Sequence, residues 1–455
     1  MVASKFVKEC KTLWLVSAFS LLAACGPETP APVRQAPTPV RVEAEISQQT
    51  NEVAPVQSAV VAPDSGPIRI AIMLPLSGAE EPTGRALLNA ATMALFDAYD
   101  SRLKLIPFDT KADGLTTESV AHEALAQEVD IVLGPLLAGN VQIAGEIFGP
   151  AGVPVIGFSN DSRVAGEGRY ILGFMPENEV SRVVDFAITK GHEKFSALVP
   201  EGLYGARVRN AFGDAVGEEG ARVVAMESYP PDPEAVFEPV KALARYDQRR
   251  KDYQDEIRYL RSLRDDLTDE IADELAKVEK LEPVEFDAVL VPEGGALLRT
   301  VGPLLPFYEI DPNQVQLLGT GLWNDKSLTR EPPLHGAWFA APEPEAPDAF
   351  MVRYAEMFGE EPPRLATIAY DGMSLIAALA RDTLEEGETR FSSARLTAST
   401  GFVGVDGLFR LNPDGLNERA LAILEITRRG FNIVDPAPEA FPSFGFNLRQ
   451  SASRE

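Results

Sequence analysis

From residue 68 onward, short apolar runs alternate with longer stretches in which apolar residues recur every three or four positions. Residues 68–74 read Ile-Arg-Ile-Ala-Ile-Met-Leu, and Pro75-Leu76-Ser77-Gly78 follows as a turn. Residues 83–99 then carry Leu87, Ala90, Ala91, Ala94 and Leu95 at helical spacing. The same reading predicts strands at 103–108, 131–133 and 153–158, with helices at 116–127 and 141–148. Strands apolar on both faces and alternating with helices indicate a parallel sheet covered on both sides. The pattern then restarts. Helices are expected at 177–190, 203–219 and 296–308, and strands at 195–199, 222–226, 286–291 and 315–318. Helices at 346–358 and 365–382 and strands at 402–411, 421–427 and 431–434 complete it. The expected fold is α/β and two-lobed, each lobe a parallel sheet flanked by helices. Lobe one takes 67–175 plus 342–395, lobe two 176–341 plus 396–435, and 436–455 is a frayed tail.

One stretch breaks the alternation. Residues 243–282 form a charged helical segment with a narrow stripe at Ile257, Leu260, Leu267, Ile271, Leu275, Val278 and Leu281. A single helix of that length would run for ~60 Å and carry the chain away from the strand at 286–291. An antiparallel hairpin turning near residues 265–269 resolves this. Charge agrees, because 245–264 hold seven Lys/Arg against four Asp/Glu and 265–282 hold two against eight. Such an insertion is either a solvated decoration or a docking arm.

The amino-terminal region follows another logic. Lys5, Lys8 and Lys11 precede an apolar stretch at 12–22, too short to span a bilayer. Leu22-Ala23-Ala24-Cys25 then resembles the lipobox of bacterial lipoproteins. That resemblance implies a signal peptide at 1–24, lipidation of Cys25 and anchoring by acyl chains. Gly26 in place of Asp implies the outer membrane, facing the periplasm. Residues 25–66, rich in Pro and without period, read as a disordered tether.

Composition removes function classes. A formal charge of −26 argues against nucleic acid and against adsorption on anionic lipid. The two cysteines, Cys10 and Cys25, leave the expected mature chain without a disulfide. His122, His192 and His335 are isolated, and no metal-ligand spacing or G-x-S-x-G elbow occurs. No catalytic residue, metal or cofactor is expected.

Ligands of open α/β sheets bind at the carboxyl ends of the parallel strands. There the first half offers Ser77 and Gly78, Gly134 and Pro135, and Ser159 and Asn160. The second half offers Tyr204 and Trp323 as covers and Glu293 as a partner for an ammonium group. Asp161 would repel a carboxylate ligand if it faced the cleft.

These residues sit within a wider resemblance. Ile70-Ala-Ile-Met-Leu-Pro-Leu-Ser-Gly78, Val132-Leu-Gly-Pro-Leu136, Val153-Pro-Val-Ile-Gly157 and Ile368-Ala-Tyr-Asp371 resemble the type I periplasmic-binding-protein fold of leucine-binding proteins. Within it, Asp287-Ala-Val-Leu-Val291, Leu304-Leu-Pro-Phe-Tyr308 and the segment 402–412 followed by Asp414-Gly415 resemble the lipoprotein penicillin-binding-protein activators. That resemblance implies a non-enzymatic regulator of peptidoglycan synthesis that contacts a synthase. The best-known activators carry a helical-repeat domain where this sequence has its tether. The alternative is a solute-binding protein that delivers a branched-chain or related amino acid to an ABC importer permease.

Overall fold

The computed structural model describes residues 66–277, 281–384 and 387–441. The expected signal segment, Cys25, the tether up to residue 65 and the tail beyond 441 lie outside the described residues.

The first half runs β1 (Ile68–Leu74), α1 (Glu81–Ala98), β2 (Leu103–Asp109), α2 (Gly114–Ala126), β3 (Ile131–Leu133), α3 (Ala138–Phe148), β4 (Val155–Gly157) and β5 (Arg169–Ile171). Its strands lie in the order β2-β1-β3-β4-β5, all parallel. β1 is buried on both faces, so it is apolar without alternation. β5 lies beyond the strands that the apolar runs indicate. It has three residues and opens on Arg169, too short and too polar to register as a run.

The second half continues with α4 (Pro176–Thr189), β6 (Lys194–Pro200), α5 (Leu203–Glu218), β7 (Arg222–Tyr229), α6 (Phe237–Leu243), α7 (Tyr246–Ser262) and α8 (Asp266–Lys277). Then come β8 (Ala288–Leu290), α9 (Gly295–Phe307), β9 (Gln316–Gly319), β10 (Trp338–Ala341), α10 (Glu345–Phe358), α11 (Ala366–Arg381) and α12 (Ser393–Leu396). Five short strands close the order: β11 (Phe402–Gly404), β12 (Gly407–Leu411), β13 (Asn417–Arg419), β14 (Ala422–Thr427) and β15 (Gly430–Asp435).

The second sheet has the order β15-β14-β10-β9-β8-β6-β7 and is mixed, not parallel throughout. β14 pairs antiparallel with both β10 and β15. Only residues 428–429 separate β14 from β15, and a parallel return needs a crossover of a dozen residues or more.

The chain crosses between the halves more than once. Ile368, Met373 and Ile376 of α11 return to the first core beside Leu87 and Ala91 of α1. The expected strand at 402–411 is instead the hairpin β11–β12, turned at Val405-Asp406 with Gly407 at φ +80°. With β13 it forms a separate three-stranded sheet. That sheet was expected in the second lobe, but its Phe409 and Leu411 cover the first core. The N–H of Ile171 in β5 also donates to the Gly415 carbonyl at 2.8 Å.

Both sheets use one device to launch the helix beside the cleft. A Cβ on Gly84 of α1 would stand 1.9 Å from the Pro75 carbonyl oxygen. A Cβ on Gly205 of α5 would stand 1.6 Å from that of Pro200. Helix and preceding strand approach so closely that only glycine fits.

The insertion is an antiparallel pair, α7 against α8. Arg261 meets Asp273 at 3.0 Å, and the Tyr253 hydroxyl donates to the Leu275 carbonyl. The turn falls at 263–265, just ahead of the expected position. Arg264 takes a left-handed φ of +54°, and Asp265 accepts from the Thr268 N–H at 3.4 Å. Within these two helices only Ala272 is buried.

Candidate functional site

A cavity of about 800 Å³ opens between the two sheets. One wall comes from the first half: Leu136 and Leu137 after β3, Phe158 to Asp161 after β4, and Ile368 on α11. The other is the first two turns of α5, including Leu203, Tyr204 and Arg207. Gly173 and Phe174, on the segment that passes from β5 to α4, form part of its lining.

Of the residues expected at the site, this cavity brings together Ser159, Asn160 and Tyr204. Ser159 is buried, and its Oγ accepts from the Asp161 N–H at 3.1 Å. The Tyr204 hydroxyl lies 3.3 Å from Thr320 Oγ1, and burial raises its pKa. The other six residues do not line the cavity. Ser77 donates to Asp109 Oδ2 at 2.6 Å, and Gly78 holds its turn at φ +89°. Gly134, at φ +84°, and Pro135 form a cis peptide turn. A Cβ on Gly134 would meet the Met73 carbonyl at 2.3 Å. Glu293 accepts from the Tyr229 hydroxyl at 2.8 Å and from the Gly294 N–H at 2.9 Å. Trp323 is wholly buried in the core of the second sheet, and its indole N–H donates to the Glu293 carbonyl. It is a core residue because its N–H finds a backbone partner inside.

The sequence reading missed two features of this cleft. Arg207 grips Glu177 with two parallel bonds of 2.7 and 2.5 Å and also donates to the Asn160 carbonyl across the cleft. Arg163 holds Asp161 in the same bidentate way at 2.9 and 2.7 Å. The Arg163 guanidinium, first among the causes, keeps the Asp161 carboxyl below the usual carboxylate range. The concern that Asp161 would repel an anion is therefore met locally by Arg163. Arg-x-x-Asn at 207–210 carried no distinguishing signal, since its partners come from another element.

Behind the walls lie two buried charged groups. Glu179, on the first turn of α4, accepts from the Gly321 N–H at 3.0 Å. Burial raises its pKa to about 7 against the opposing effect of that bond. Under Phe174, Arg419 meets Asp371 at 3.1 Å, and Asp406 accepts from Thr367 at 2.6 Å and from Arg364 at 2.5 Å. The Arg364 and Arg419 guanidinium groups lie 4.5 and 5.5 Å from the Phe174 ring centre. Asn417 exchanges two hydrogen bonds with the backbone of Gly173. These bonds fix the crossing segment that lines the cleft. Among the described residues no cluster of His, Cys, Asp and Glu could hold a metal ion. No described helix is long and apolar enough to cross a membrane.

A family model described as a periplasmic binding protein matches residues 67–245. An uncharacterized protein of Rickettsia prowazekii is 23% identical over 177 residues, 39% of this chain and 47% of that protein. The penicillin-binding protein activator LpoA of Vibrio cholerae is 27% identical over 153 residues, 32% of this chain and 25% of its own length. The matches therefore span less than half the length of these curated relatives. Among solved structures, a putative branched-chain amino acid ABC transporter protein of Rhodospirillum rubrum has a TM-score of 0.63 at 18% identity. The alignment covers 81% of this chain and all of that one. An ABC transporter substrate-binding protein of Sphaerobacter thermophilus has a TM-score of 0.57 at 18% identity, over 83% of this chain and 98% of that one. Together, sequence and architecture identify a periplasmic-binding-fold protein that resembles the penicillin-binding protein activators.

Proposed function

We propose that this protein is a non-enzymatic regulator of peptidoglycan synthesis in the cell envelope, acting on a penicillin-binding protein by contact. The observation that carries the reading is the sequence match to the LpoA activators over 32% of the chain. The fold supports a contact role. The cleft walls present committed ion pairs rather than a nucleophile with its base, and the α7–α8 hairpin offers an exposed surface of its own. In this reading Cys25 carries the lipid that holds the protein at the outer membrane. Residues 26–66 then set its reach into the periplasm.

A second reading, a solute-binding protein serving an ABC importer permease, is favoured by the solved structures that share the fold and by the size of the cleft. Purification of the full chain from native membranes after crosslinking separates the two. Recovery of a peptidoglycan synthase is expected. Recovery of an importer permease, with amino-acid uptake lost and wall synthesis normal in a deletion strain, would overturn the regulator reading.

A further inference from the structure

The cleft also says what kind of small molecule it suits. Its volume of about 800 Å³ is that of a ligand site, and such sites run to roughly 300–1,000 Å³. Its lining is mainly apolar. Phe158, Phe174 and Ile368 face it from the first half and Leu203 from the second. Leu137 and Leu203 stand on opposite walls and are 39% and 67% exposed. With the aromatic and aliphatic lining they give the mainly apolar surface expected of a small-molecule cleft.

The polar groups narrow the class. Among the described residues the lining offers a carboxylate no unpaired side-chain cation. Arg163 is held by Asp161, and Arg207 by Glu177 and the Asn160 carbonyl. An ammonium group needs a carboxylate, and Asp161 is committed to Arg163. Glu293, the expected ammonium partner, is not in the lining. Glu80 is the lining carboxylate without an ion pair among the described residues, and it is solvent-exposed at the mouth. The Tyr204 hydroxyl is engaged with Thr320, while Ser159 Oγ accepts from the Asp161 N–H and keeps its own O–H to donate. The side-chain amides of Asn160 and Asn210 and the hydroxyls of Ser159 and Thr83 remain, and all are neutral. A zwitterion placed here would surrender its hydration without matched partners, a costly exchange.

We propose that the interlobe cleft takes an uncharged, largely apolar small molecule, and not an amino acid or a carboxylate. The proposal goes beyond the regulator reading and does not depend on it.

The test is titration of the full chain with N-phenyl-1-naphthylamine, a neutral apolar fluorophore. Saturable binding at one site is expected, with affinity reduced roughly tenfold or more in Ala206→Trp and in Asn210→Trp. Both positions are exposed on α5 and line the cleft, so either variant fills it without entering the core. Arg261→Ala, on the hairpin and away from the lining, should bind the probe as the parent does, and leucine or benzoate in millimolar excess should not displace it. The absence of saturable binding would overturn the proposal. So would displacement by leucine or benzoate, or loss of affinity only on Ile271→Ser in the hairpin.

Discussion

Two sets of ion pairs in this molecule are built from the same residue types and do opposite things. Beneath the cleft, the side chains of Arg419 and Asp371 are 2% and 0% exposed. In the hairpin, those of Arg261 and Asp273 are 53% and 66% exposed. The first pair is almost wholly out of water and only partly satisfied, since Arg419 Nε and Nη2 have no hydrogen-bond partner among the described residues. Asp371 also accepts from the Val405 N–H at 2.6 Å, and Arg419 rests against Phe174 and Phe409. The second pair remains hydrated and screened, so it constrains little. Charge beneath the cleft fixes the segment that joins the two halves. Charge on the hairpin is free to vary with whatever the hairpin touches. The contrast separates the part of the molecule that holds the cleft from an exposed arm that the proposed regulator reading makes available to a partner.

Three substitutions test that contrast. Arg419→Ala leaves Asp371 in the interior without its cation, while Asp406 keeps Arg364, and it is expected to cost about 3–5 kcal/mol in urea unfolding, as for other broken buried pairs. A loss under about 1 kcal/mol would show that the cluster does not organise the crossing.

Glu179→Gln probes a buried carboxyl outside that cluster, and its signature is a pH dependence. The folded pKa of about 7 lies above the ordinary 4.5, so the folded state holds a proton that the unfolded state releases. The contribution is fully present below about 4.5 and is lost as pH rises through 7. The parent should therefore gain stability as pH falls from 8 to 5, by up to about 2–3 kcal/mol. The glutamine variant, which keeps an acceptor for the Gly321 N–H, should show a flatter profile. Asp371, whose pKa burial raises to about 6, adds a smaller trend of the same sign in both proteins. Identical profiles would contradict the assignment to Glu179.

Arg261→Ala in the hairpin should change stability by about 0.5 kcal/mol or less. A loss comparable to that of Arg419→Ala would erase the distinction.

The division between legible and hidden parts of the chain follows the same physics. Strands such as Ile68–Leu74 announce themselves, because burial on both faces demands an apolar run. The hairpin was visible because its stripe and its charge segregation are local. β5 and β10 were not visible, being three and four residues long and defined by their neighbours. The cleft was read by position along the strands, which located Ser159, Asn160 and Tyr204. Its decisive groups were hidden, because Arg207 acquires its role from Asn160, 47 residues away on the opposite wall. Trp323 misled for a related reason. A tryptophan after a strand looks like a lid until its N–H is seen bonded inward to Glu293.

The regulator account meets its most direct test in a chain whose residues 254–274 are replaced by a short Gly-Ser linker. Tyr253 and Leu275 are joined by a hydrogen bond, so the cut ends lie together. Incorporation of labelled wall precursor should be measured in cells that make this variant as their only copy, beside the thermal unfolding of the purified protein. The expected result is unfolding close to that of the parent together with reduced incorporation. Parental incorporation from a stably folded variant would contradict the view that this arm is where the protein acts on wall synthesis.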